Sequence, residues 1–172
     1  MIFGNTNVFA VEAVLAAEPA FGRNIVGSLR CYVAGTPIGN IDERHCVIGS
    51  LARELNDLAG KESGFWHPQL ERLTASERFE ALDTLFYNTS TEPMTAAQNA
   101  LGNCNFLTNV SESFDSTKGF ALQPAPGTIQ LLVKENDVFS HVELPLSAFT
   151  KTAASFLKWT VEQELQHHVA GA

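Results

Sequence analysis

From Val8 to Ala16 apolar and polar positions alternate. Phe9, Val11, Ala13 and Leu15 fall on one side of an extended chain, and Val8, Ala10, Glu12 and Val14 on the other. A period of two predicts a strand with one mixed face over residues 8–16. A loop follows over residues 18–24, and residues 25–33 (IVGSLRCYV) predict a second strand. Ala34-Gly35-Thr36-Pro37 is a turn, because glycine tolerates positive φ and proline fixes φ near the turn value. Residues 38–41 then return as a short strand and complete a hairpin. Val47, Ile48, Leu51, Leu55 and Leu58 recur at helical spacing, and Gly60 stands just past them as a stop.

Residues 61–73 predict a loop ending in a short turn. Thr74-Ala75-Ser76-Glu77 is a capping-box pattern, in which the threonine oxygen accepts from free backbone N–H groups and the glutamate reaches back. With Phe79, Leu82, Leu85 and Phe86 on one stripe, it predicts a helix over 75–87. Residues 88–93 break structure, and a short helix over 94–101 ends at Gly102. Residues 104–108 (CNFLT) predict a strand. Residues 111–118 form a polar connection with Phe114 exposed, and 119–122 a short strand. Residues 124–127 turn into strands 128–133 and 138–144, joined by Lys134-Glu135-Asn136-Asp137. The last helix spans 147–169, with Phe149, Ala153, Phe156, Leu157, Thr160, Val161 and Leu165 buried and Trp159 at the helix–sheet seam. Separate blocks of strands and helices predict an α+β fold, a mainly antiparallel β-sheet packed against helices, with a long C-terminal helix. One domain over 1–172 is expected.

Composition narrows this picture. A chain of 172 residues buries about 70% of its unfolded surface and folds without disulfide or metal. With 45% apolar and 17% charged residues, global disorder is excluded. No apolar run reaches the roughly 18 residues a membrane helix needs. The stretch 8–20 lacks the basic start of a secretory signal and carries Glu12, so it reads as strand. Cys31, Cys46 and Cys104 form no CxxC, which fits reduced thiols in a cytoplasmic protein. The net charge of −8, with no two Lys or Arg adjacent, excludes direct nucleic-acid binding.

Catalytic signatures are missing. Neither GxGxxG nor GxxxxGK[ST] occurs, and GxSxG is absent. Ser111, Ser113 and Asp115 have no histidine nearby in sequence. HExxH, HxH and HxxxH do not occur among His45, His67, His141, His167 and His168. No catalytic residue, no cofactor and no metal is expected. Charge distribution is more informative: residues 61–117 hold eight acids and three bases. Such a region can steer a basic protein into place.

Met1-Ile2-Phe3-Gly4-Asn5 and Phe9-Ala10-Val11-Glu12 resemble the opening of bacterial immunity proteins from polymorphic-toxin systems, immunity protein family forty-two. Gly27-Ser28-Leu29-Arg30-Cys31-Tyr32-Val33, Gly35 and Ile38-Gly39-Asn40-Ile41-Asp42-Glu43 resemble that family's aromatic strand and hairpin. Phe106, Glu112, Phe114 and Asp115 lie in a similar later stretch. Asn5 departs from the family's common aspartate, and Tyr32 or Val33 from its tryptophan. The resemblance implies a cytoplasmic, non-enzymatic protein that binds the toxic C-terminal domain of a cognate effector of a contact-dependent growth inhibition system. Such toxins are often nucleases with basic clefts, which carboxylates can occupy in place of phosphates. The expected toxin contacts are Asp42, Glu43, Glu62, Glu112 and Asp115, with Phe65, Trp66 or Phe114 as apolar anchors. Neither a membrane nor free nucleic acid is an expected partner. Two rival readings stand beside this one. The first is a small enzyme or small-molecule-binding domain with a cleft between sheet and helices, using His67 or His141 with Glu112 or Asp115. The second is a scaffold domain that dimerises through an exposed apolar patch.

Overall fold

The structure is a computed structural model. It describes residues 1–22, 24–61, 65–87, 101, 104–108 and 110–169, without the side chains of Ala20, Phe21, His168 and Val169. The fold is α+β, and every strand pairing among the described residues is antiparallel. The alternation in residues 8–16 belongs to β2 (Phe9–Phe21), which pairs with β1 (Ile2–Asn5) on one edge and β3 (Asn24–Val33) on the other. β4 (Thr36–Ile38) and β5 (Cys46–Val47) share the far edge of β3. Ala34 and Gly35 make the β3–β4 turn at φ 51° and 82°.

β2 runs past the loop expected at residues 18–24. The sheet tolerates Pro19 because the β2–β3 register shifts between Leu15 and Ala20, and a bulge frees that position from donating a ladder bond. The odd residues Phe9, Val11, Ala13, Leu29, Cys31 and Val33 are all buried. They face α1 (Ile48–Gly60) and the long C-terminal helix, here α3 (Leu146–Val169). Phe9 stacks on Phe149 at 5.1 Å between ring centroids, and Phe3 lies 5.3 Å from Phe156 and 5.4 Å from Trp159. Val161 and Leu165 were expected on the buried face but are 41% and 61% exposed, in the helical turns that follow Thr160, the last fully buried residue of α3.

The second sheet has the order β6 (Thr117–Leu122), β7 (Thr128–Glu135), β8 (Val138–Pro145). Asn136 and Asp137, at φ 47° and 67°, form the β7–β8 turn, a geometry that matches the strand twist. The capping box places α2 at Ala75–Tyr87. Thr74 N–H donates to Glu77 Oε2 at 2.8 Å, and Glu77 N–H donates to Thr74 Oγ1 at 3.3 Å. α2 covers one face of this sheet through Phe79, which meets Phe120 and Phe139 at 5.4 and 5.7 Å. The ion pairs Asp83–Lys118 and Glu80–Lys134 flank it. Phe9 of β2 packs edge-on at 5.9 Å against Phe106, whose N–H donates to Gly119 O of β6, so the two sheets share one core cluster.

Residues 104–108 are not a strand. Only Asn105 bridges to Phe120, and Leu107 turns the backbone at φ 64°. The expected helix 94–101 lies outside the described residues except for Leu101, which is helical and buried.

Candidate acidic interface

The loop between β4 and β5 and the 3-10 turn Glu112–Phe114 are locked together, and acids lie close in sequence to both sides of the lock. Asn40 N–H donates to Ser113 O at 3.0 Å, and Ser113 Oγ donates to Asn40 O at 2.9 Å. Cys46 Sγ lies 3.0 Å from the same hydroxyl. Gly39 sits at φ 97°, and a Cβ there would come within 2.6 Å of the Phe114 ring. Only glycine allows this approach. Gly39 N–H also donates to Glu135 Oε1, which accepts from Thr117 Oγ1 as well, both at 2.9 Å. β7 thus fixes the base of the loop.

On that frame the acids project outward. Asp42, Glu112 and Asp115 are exposed and Glu43 is half-buried. Asn40 Oδ1 accepts from the Asp42 N–H at 3.1 Å, and Glu43 Oε1 accepts from the His45 N–H at 3.1 Å, so the Asp42 backbone and the Glu43 side chain sit in ordered turns. A cleft of about 300 Å³ borders Val47, Ser111, Glu112 and Asp115. Of the acids in residues 61–117, three are used elsewhere: Glu77 caps α2, while Glu80 and Asp83 pair with lysines. The Thr74 hydrogen bonds hold the Glu77 carboxyl below its ordinary range. Glu62 lies outside the described residues.

The aromatic anchors do not join this rim. Phe114 was expected to be exposed but is fully buried, because its ring closes the gap beneath Gly39. Phe65 is 2% exposed, and its carbonyl accepts from the Gln123 N–H at 3.1 Å. Both are core residues and offer no surface to a partner. Trp66 is half-buried under the Arg78 guanidinium at 4.9 Å, beside α2. Gly39 and Asn40 entered the sequence reading only as part of the hairpin and Ser113 only as a serine without a histidine, and their joint role as a lock went unread. The Gly-Asn pair after a short strand was the available signal for a tight, side-chain-supported turn.

Neither His67 nor His141 lines the clefts described here. His67 Nδ1 accepts from the Gln69 N–H at the start of the turn Pro68–Leu70, and His141 lies beside Phe139 on β8. A larger cleft of about 710 Å³ runs along α1 between Glu54, Asp57 and Asn105. Burial pushes the Glu54 carboxyl up to about 7, with Asp57 adding to the rise, and the Leu107 N–H bond opposes both. Burial likewise pushes the Cys104 thiol up to about 12 and the Cys31 thiol higher still. All three cysteines are free and buried, as inert core thiols should be. Among the described residues no helix is long and apolar enough to cross a membrane.

The family model for immunity protein 42 matches residues 1–159. The chain belongs to the immunity protein 42 family. The fold is also similar to a solved structure, the crystal structure of CdiI from Burkholderia dolosa AUO158. That match has a TM-score of 0.68 and 13% identity, covering 92% of this chain and 99% of that one. No curated protein matches the sequence. Membership of an immunity family makes toxin neutralisation the coarse function, with a cognate toxin as the implied partner.

Proposed function

We propose that this protein neutralises the C-terminal toxic domain of a contact-dependent growth inhibition effector in the cytoplasm, by occupying its working surface without turnover. The observation that supports this reading is the acidic rim: the Asn40–Ser113 lock joins the segment that carries Asp42 and Glu43 to the segment that carries Glu112 and Asp115. The net charge of −8 repels nucleic acid itself and attracts a basic protein cleft made to hold it. The Glu43 carboxylate and the Asp42 backbone are already held in ordered turns, so this part of the rim has less entropy to lose on binding. A nuclease is therefore the toxin class that fits best.

The test is binding to the toxin domain encoded immediately upstream, with protection of cells that express it. Wild-type protein is expected to bind tightly and to protect. The triple variant Asp42→Lys, Glu112→Lys, Asp115→Lys is expected to associate at least about tenfold more slowly at low salt, since rim charges act mainly on the on-rate. Absence of a complex at micromolar concentration, together with absence of protection, would reject the reading.

A further inference from the structure

The even-numbered face of the first sheet turns away from α1 and α3. Ile2, Glu12 and Arg30 stand opposite one another across three strands, and Val14 stands opposite Ser28. Ile2 and Val14 are 51% and 48% exposed. Glu12 faces Arg30 but instead accepts from the Tyr32 hydroxyl at 2.8 Å. Arg30 has no ion-pair partner among the described residues, and its Nε is buried without an acceptor. Arg53, Lys118, Lys134 and Lys158 all have carboxylate partners, and Arg78 is held by Leu70 O and Gln130 Oε1. Where the β2–β3 register shifts beyond Leu15, a cleft of about 420 Å³ opens beside this face, lined by Val14, Ala17 and Ile41 together with Ser28, Asp42 and Arg44, an arginine that like Arg30 has no ion-pair partner among the described residues.

We propose that this cleft and Arg30 form a second recognition site, which receives an apolar side chain and a neighbouring carboxylate of the cognate toxin domain. The inference rests on the immunity reading and deepens it. Asp42 lines this cleft and also belongs to the acidic rim, so the two surfaces are continuous. The toxin then meets both signs of charge along one strip, its cations on the acids of the rim and its carboxylate on Arg30 and Arg44. Such a pattern fixes orientation and excludes partners that carry only positive charge. A guanidinium offers a planar fork to a carboxylate, and Arg30 stands two positions along β3 from Ser28, which lines the cleft. A second copy of this chain would bring its own acidic rim against this one, so like charge opposes self-association through the strip.

The experiment is titration of the same toxin domain with wild-type protein and with Arg30→Gln, Arg44→Glu and Ala17→Trp, each with a thermal melt. Arg44 and Ala17 are exposed, so their variants fold whatever Arg30→Gln does. Arg30→Gln and Ala17→Trp are expected to weaken affinity on the order of 30-fold, and Arg44→Glu about tenfold. If all three bind within about twofold of wild type, the inference falls and the immunity reading stands. If wild-type protein fails to bind the toxin, the immunity reading falls first and takes this site with it. If the protein dimerises, and Ala17→Trp splits the dimer while leaving toxin affinity unchanged, the face belongs to a second copy and the inference is overturned.

Discussion

The two sheets hide different numbers of faces. The sheet β6–β8 is covered on both: α2 lies on Phe120 and Phe139, while Leu131 and Val133 of the central strand are buried on the other side. The sheet β1–β5 packs α1 and α3 against its odd residues, and its even face keeps Ile2 and Val14 exposed beside an unpaired Arg30. One sheet therefore carries stability. The other divides its strands between stability on one side and recognition on the other. In the proposed reading this division lets partner contacts change without disturbing the core.

The largest expected effect falls in the covered sheet. Phe120 is fully buried and touches Phe79, Phe86 and Tyr87. Phe120→Ala is expected to lower the unfolding free energy by about 3–5 kcal/mol in urea titration. A loss below about 1 kcal/mol would show that this sheet is not the stable half.

Glu54 joins the two halves, since it sits on α1 and hydrogen-bonds the Leu107 N–H with its other oxygen, Oε1, buried and unpartnered. Its carboxyl titrates at about 7 when folded, against an ordinary value of 4.5. The folded state therefore holds this proton more tightly than the unfolded state. The stability it confers is complete below the ordinary value and is lost as pH rises through about 7. Glu54→Gln keeps an acceptor for Leu107 and removes the charge. The variant is expected to be more stable than wild type at pH 8 by about 2 kcal/mol, and near equal at pH 4.5. Equal gains at both pH values would show that burial of the charge is not the cause.

Local signals were legible in the sequence, and long-range ones were not. The helix at Ala75–Tyr87 could be read because its start is encoded within four residues, Thr74 to Glu77. The mixed face expected of β2 is the open face of the sheet. Phe114 was misjudged because the residue that makes room for it, Gly39, comes from a distant segment. Residues 104–108 have strand composition, but Leu107 leaves the extended region and Asn105 finds a single bridge. The contact between the segments that carry Asp42 and Glu112 was not legible, since Asn40 and Ser113 are 73 residues apart. The capping box itself offers a smaller test of the covered half. Thr74→Ala is expected to cost about 1 kcal/mol in a thermal melt.

The smallest effect on folding is the sharpest test of the comparison. Ile2→Thr and Val14→Thr keep β-branching, so strand preference is retained and only exposed apolar surface is removed. Each is expected to change stability by less than about 0.5 kcal/mol, which denaturant midpoints can check. Toxin affinity in the double variant is expected to fall about tenfold, because the apolar surface that flanks Arg30 and the cleft is lost. Unchanged stability with weakened binding would place recognition on the open face and stability elsewhere. A large loss of stability would mean that Ile2 and Val14 hold the sheet together, and the contrast between the two sheets would collapse.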